Sequence, residues 1–189
     1  YRHHGAMRHV GPTRSELGIR TIFNLLGVMS NPAAVKRQLI GVYDPRWMRP
    51  MAKTLRELGS THIWVMHGSD GLDELTTTGP SRVVELKNGE IAEFEVTPEQ
   101  IGLKKVPIEA LKGGTPERNA EALSALLNGT PGPYRDVALL NAGAAIMIGG
   151  KCDTVAEGIE LARQSIDTGA ALNAFETLKR ISNETVEVV

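Results

Sequence analysis

Ile63-Trp64-Val65-Met66-His67-Gly68-Ser69-Asp70-Gly71-Leu72-Asp73-Glu74 joins a short apolar run to a loop carrying three carboxylates within five positions. The run has the length and residue types of a buried strand. Gly68 and Gly71 let the chain turn tightly and keep side-chain bulk away from anything bound there. Upstream, Arg37 to Tyr43 reads as another strand. Asp44 is placed to cap a helix with Pro45 at its first position. That helix runs to Leu58 and stops at Gly59, and its Trp47, Met51, Leu55 and Leu58 recur at helical spacing as a core stripe. Strand 38–43, helix 45–58 and strand 62–66 make a βαβ unit with a right-handed crossover. The loop 67–74 therefore sits at the carboxyl edge of a sheet, where open α/β folds place their ligands. Clustered carboxylates call for a counter-charge, and Mg²⁺, which takes oxygen ligands and bridges to phosphates, suits them. A solvated acidic loop is the plain alternative.

Further out, Thr13 with Glu16 fits a capping box for a short helix ending at Gly18. Residues 21–26 read as another apolar helical segment closed by Gly27, and Asn31-Pro32 marks a turn. Arg82 to Leu86 and Ile91 to Val96 flank Asn88-Gly89, a strong β-hairpin signal. Residues 97–115 are mostly loop, with a short helix after Thr97-Pro98. Helices follow over 116–127, over the Ala-rich 135–148 up to Gly149-Gly150, from Asp153-Thr154 to Ile166, and over about 170–181. The organisation expected is one α/β domain over 1–182, incomplete at its N-terminal side, and a flexible tail over 183–189.

The bulk numbers narrow the function classes. The 189 residues are 41% hydrophobic and 23% charged, an ordinary globular balance. With 21 Lys+Arg against 22 Asp+Glu the net charge is −1, so no global basic bias points to nucleic acid or an anionic membrane. Locally, Arg2, Arg8, Arg14 and Arg20 with three histidines face only Glu16 in the first twenty residues, which suits an anionic small molecule. Cys152 is the only cysteine, so no intrachain disulfide forms. It reads either as a reactive thiol or as a small residue near a helix start. No run of 18 apolar residues and no signal-peptide pattern is present, and the first residue is Tyr1, so the chain is expected to begin inside a longer protein. Neither G-x-G-x-x-G nor a Walker motif occurs. His3, His4 and His9 match no standard zinc spacing. Gly113-Gly114-Thr115 offers backbone N–H groups to an anion, a weak signal on its own.

Several segments together carry a resemblance. These are His4 to Arg14, Leu17 to Gly27, Asn31-Pro32, Arg37-Gln38, Gly41-Val42, His67 to Glu74, Arg135-Asp136, Leu139 to Ala142 and Ile166 to Ala170. In this order and spacing the chain closely resembles the larger, C-terminal part of the anthranilate phosphoribosyltransferases over nearly its whole length. The resemblance implies an α/β fold of the nucleoside phosphorylase/phosphoribosyltransferase type, with a central mixed, largely parallel sheet flanked by helices. It implies transfer of the phosphoribosyl group from phosphoribosyl pyrophosphate (PRPP) to anthranilate in tryptophan biosynthesis, by a cytoplasmic, Mg²⁺-dependent homodimer. Residue by residue, it implies that Asp73 and Glu74 bind the metal and that Arg14 contacts anthranilate. It also implies that His4 and Met7 lie along the aromatic substrate; no residue is assigned acid–base catalysis. The family's G-T-G-G-D, N-x-S and K-H-G-N-R segments do not occur in these residues, so the 189 residues alone are not expected to catalyse the reaction. Val28-Met29-Ser30 stands where P-L-T is usual, Tyr1 where proline is common, and Thr115 where an acidic residue is common. These departures leave open a diverged paralogue that binds nucleic acid or another ligand, or a pyrimidine nucleoside phosphorylase relative.

Overall fold

The computed structural model describes residue 5, residues 7–19 and residues 21–184, with the side chains of residues 7 and 8 outside the description. Four strands, β1 (Arg37–Gly41), β2 (His62–Gly68), β3 (Ser81–Lys87) and β4 (Glu90–Val96), form one sheet in the order β1-β2-β3-β4. Two helices, α1 (Met7–Leu17) and α2 (Phe23–Met29), precede it, and α3 (Met48–Glu57) links β1 to β2. After the hairpin come α4 (Pro116–Leu127), α5 (Pro133–Ile148), α6 (Val155–Asp167) and α7 (Ala170–Asn183).

The alternation of side chains along β2 sets the layers. Ile63 and Val65 point to one face and pack with Ile40, Met48, Met51 and Leu55 beneath α3. Trp64 and Met66 point to the other and pack with Val83, Leu140, Ala144 and Met147 beneath α5. A strand covered on both faces carries apolar residues at consecutive positions, which is why β2 reads as an unbroken run. Trp64 also donates its indole N–H to Glu85 at 2.8 Å and meets Phe94 edge-on at 5.3 Å, tying β2 to both strands of the hairpin.

The sheet is mixed and flanked by helices, as expected, but its balance differs from a largely parallel one. β1 pairs with β2 in parallel, whereas β2 with β3 and β3 with β4 are antiparallel. The Asn88-Gly89 turn, with φ of 52° and 87°, builds the expected hairpin. That hairpin adds directly to β2 and so supplies half of the strands. Local signals also shift. Thr13 lies inside α1, which runs from Met7 through Pro12 to Leu17, so it caps no helix. Gly27 lies within α2, which runs on to Met29 with Ser30 as its C-cap. Leu58 is 55% exposed because it stands past the end of α3, and Met48 and Ala52 complete the stripe in its place. The last helix reaches Asn183, and residues 185–189, most of the expected tail, lie outside the described residues.

Helix α6 begins at a full capping box, Thr154 with Glu157. It lies against α5 at a point where Gly158 and Gly143 meet backbone to backbone. A Cβ on Gly158 would stand 2.2 Å from the Gly143 carbonyl oxygen. Arg135 braces the same pair of helices through an ion pair with Asp167 and a 2.7 Å bond to the Gly129 carbonyl. In an open helix Gly→Ala gains about 1 kcal/mol of propensity. Here the clash reverses the sign, because overpacking costs about 1–3 kcal/mol. Gly158→Ala should lower the denaturation midpoint measured by circular dichroism.

Candidate active site

The acidic segment leaves β2 and doubles back before β3, so its shape rests on how Asp70 is held. The Asp70 carboxylate accepts hydrogen bonds from the Thr76 hydroxyl at 2.5 Å, the Thr78 hydroxyl at 2.7 Å and the Leu72 N–H at 3.0 Å. Burial alone would raise its pKa, but the Thr76, Thr78 and backbone hydrogen bonds outweigh it and hold the group below its ordinary value. Asp70 thus serves as the internal strut of the loop, with its oxygens already engaged.

Two further contacts seat the loop on the sheet edge. A Cβ on Gly41, the last residue of β1, would lie 1.6 Å from the Asp73 carbonyl oxygen, so only glycine lets the loop backbone come down onto the strand end. His67 bonds through Nδ1 to the Val42 carbonyl at 2.8 Å. A carbonyl only accepts, so Nδ1 carries the proton in that bond. On the far side, the Asn141 side chain of α5 accepts from the Leu75 N–H at 3.0 Å and donates to the Leu75 carbonyl at 2.8 Å.

Pinned at Asp70 and Leu75, the loop leaves Asp73 and Glu74 exposed between them. The two neighbours face different spaces. Asp73 lines a cavity of about 470 Å³ with Asn24 and Leu25 of α2, Gly41 and Tyr43. Glu74 lines one of about 380 Å³ between α4 and α5, with Asn119, Tyr134 and Asn141. Partial burial raises the Glu74 pKa, and the negative charges of Asp73 and Asp70 push it the same way. Among the described residues none of the three carboxylates makes an ion pair with Lys, Arg or His. No group of three or more His, Cys, Asp or Glu among those residues converges there for a metal either. Among the described residues the loop therefore offers two exposed carboxylate side chains without a cationic partner.

Arg14 stands in the last turn of α1, half-buried, with its guanidinium 6.0 Å from the centre of the Phe23 ring. It pairs with no acid among the described residues, Glu16 included, and it lines neither of the two cavities. Met7 opens α1, and its side chain is outside the described residues, as is His4 altogether. The Gly113-Gly114 amides do not form an open anion cradle, because the Asn119 side chain accepts from the Gly114 N–H at 2.8 Å. Cys152 is half-buried and packs against the core beneath α5, and burial and the charge of Glu157 raise its thiol pKa. The sequence reading gives no role to Thr76, Thr78, Gly41 or Asn141, although Gly41 and Asn141 lie in segments that carry the resemblance. The Thr76-Thr77-Thr78 run just after the acidic loop and a single amide on the apolar helix α5 are the signals that mark three of them.

Residues 1–172 match the family model described as glycosyl transferase family, a/b domain. The chain is 59% identical over 180 residues to the anthranilate phosphoribosyltransferase of Rhodopseudomonas palustris (strain HaA2), an alignment covering 95% of this chain and 53% of that protein. Its fold is similar to the crystal structure of anthranilate phosphoribosyltransferase from Thermus thermophilus, with a TM-score of 0.84 and 46% identity over 92% of this chain and 51% of that one. It is also similar to the Saccharomyces cerevisiae anthranilate phosphoribosyltransferase in complex with PRPP and Mg, with a TM-score of 0.81 and 28% identity over 90% of this chain and 49% of that one. The chain spans about half the length of the curated relatives it matches.

The Asp70 strut generates a pH prediction. Its native pKa is depressed, so its stabilisation is present above the ordinary value of 3.8 and is lost as pH falls through the native value. Asp70→Asn should destabilise the fold at neutral pH by about 1–3 kcal/mol. In urea titrations the gap between the wild type and the variant should close below pH 3.8.

Proposed function

The chain belongs to the glycosyl transferase family whose a/b domain it matches, and from that premise we propose that it is the α/β portion of an enzyme that transfers the phosphoribosyl group of PRPP to anthranilate. The products are N-(5-phosphoribosyl)anthranilate and pyrophosphate, and the step belongs to tryptophan biosynthesis. One observation carries the reading beyond kinship. The carboxyl edge of β1 and β2 presents Asp73 and Glu74 exposed, while the third carboxylate of the cluster is consumed in holding the loop.

A polyphosphate substrate and an acidic loop repel each other unless a divalent cation lies between them. The residues fit Mg²⁺, which commonly binds through one or two carboxylates and fills its octahedron with water and substrate phosphate oxygens. Asp73 and Glu74, each on its own side of the loop, are the groups that would hold it, while Asp70 is engaged in three hydrogen bonds. When bound, the ion would offset the charge that grows on the departing pyrophosphate.

The protein's own part is placement. Gly41 and the Asp70 strut fix where the two carboxylates stand. Arg14, without an acidic partner among the described residues, matches a carboxylate in the bidentate manner that suits guanidinium, so we assign it the carboxyl group of anthranilate. His4 and Met7 are assigned to the aromatic substrate on the resemblance of their segment alone. The anthranilate amine is weakly basic and reaches the sugar carbon largely unprotonated, so holding two substrates in line supplies most of the rate. A homodimer and a cytoplasmic location complete the reading, both on kinship. Among the described residues no helix is long and apolar enough to cross a membrane.

Two substitutions in the complete enzyme test it. Asp73→Asn combined with Glu74→Gln should sharply reduce turnover at limiting Mg²⁺, and an unchanged magnesium dependence rejects the metal assignment. Arg14→Ala should raise the KM for anthranilate far more than that for PRPP. A charge-assisted bond worth about 1.5–3 kcal/mol corresponds to roughly ten- to 150-fold. Equal effects on the two substrates would count against this role.

A further inference from the structure

We infer that Asn141 is a positioning residue for Glu74: its side-chain amide grips the peptide groups of the next residue, Leu75, and so sets where the Glu74 carboxylate stands. The inference rests on the proposed role of Asp73 and Glu74 as the magnesium carboxylates.

The geometry is that of a side chain imitating a neighbouring strand. Asn141 Oδ1 accepts from the Leu75 N–H at 3.0 Å, and Nδ2 donates to the Leu75 carbonyl at 2.8 Å. Leu75 makes both bonds with one residue that lies 66 positions away. The same Nδ2 donates to the Val137 carbonyl at 2.9 Å, one helical turn back, so the amide is braced by its own helix and cannot rotate without losing a bond. Leu75 itself is 0% exposed, its side chain packed in the core between the sheet and α5. Backbone and side chain of residue 75 are thus both fixed, and the peptide joining Glu74 to Leu75 inherits that position. Glu74 and Asn141 also line the same cavity, of which α5 forms one wall.

Fixing this peptide matters because Glu74 has no partner of its own among the described residues. Asp70 is held by three hydrogen bonds and the Asp73 backbone by its seat on Gly41. The Glu74 backbone is seated on its near side by Asp73 on Gly41, and on its far side it is held through Leu75 by Asn141. Groups that orient metal-binding side chains from behind typically cost 10- to 100-fold in metal affinity when removed. An Asn on an apolar, Ala-rich helix face is costly unless both its donor and its acceptor are used, and here the backbone of Leu75 uses both.

The test uses the complete enzyme, with Mn²⁺ as a paramagnetic probe titrated in the presence of PRPP and followed by electron paramagnetic resonance, alongside steady-state kinetics. Asn141→Ala should weaken Mn²⁺ binding by about tenfold. It should raise the half-saturating Mg²⁺ concentration to a similar degree and leave the KM for anthranilate unchanged. Asn141→Asp preserves volume but cannot donate to the Leu75 carbonyl when ionised; it should show the same direction and serves where the alanine variant does not fold. In a Glu74→Gln background, Asn141→Asp should add little further loss of Mn²⁺ affinity, because it acts through Glu74. Unchanged Mn²⁺ affinity in a folded Asn141 variant, even with a lowered Tm, overturns the inference and leaves Asn141 a structural residue. Additive losses in the double variant overturn it as well. If Glu74→Gln alone leaves Mn²⁺ affinity unchanged, the metal reading itself fails, and the inference with it.

Discussion

A carboxylate removed from water must find donors or it will not stay ionised, and Asp70 finds three. Two threonine hydroxyls and one backbone N–H converge on it, all from within eight residues along the chain. That local cage turns what would be a floppy, self-repelling acidic stretch into a hairpin-like fold-back. The loop begins at the end of β2, comes down at Asp73 onto Gly41 at the end of β1, and ends at Leu75 beneath α5. Without the cage neither contact has a reason to be where it is.

The constraint explains a division of labour among three residues of one type. Asp70 turns its lone pairs inward, and Asp73 and Glu74 keep theirs outward. Spacing alone does not distinguish these roles, since all three carboxylates lie on one Gly-bearing loop. What separates them is distance to hydroxyl donors, a property of the fold-back and of the run Thr76-Thr77-Thr78. The position of Glu74 has its own cost, as partial burial and the negative charges on Asp73 and Asp70 make ionisation harder.

Much of the architecture is legible from the chain because its signals are local. Gly59 ends one helix, Asn88-Gly89 closes one hairpin, and Thr154 with Glu157 starts another helix, each within a few residues. What is not legible depends on pairing over distance. The hairpin reads correctly as a hairpin, yet nothing in it announces that β3 will pair antiparallel with β2 and leave only the β1-β2 pairing parallel. Leu58 has the right spacing for the core stripe, but the helix ends one residue before it and its side chain turns to solvent. Around the acidic loop the same rule holds. The carboxylates declare themselves as a cluster, while Gly41 and Asn141 matter only because the fold brings strand end and helix to the loop.

The hairpin strand β4 closes one side of the sheet and carries Glu90, Glu93 and Glu95, all exposed, with Glu93 paired to Arg49 of α3. The outer margin of a sheet is a template on which any passing extended chain can add itself. Here an arriving strand would have to bring its own side chains alongside a row of glutamates, and one of those is tethered across to a helix. An edge strand charged in this way disfavours the addition of a strand from another copy.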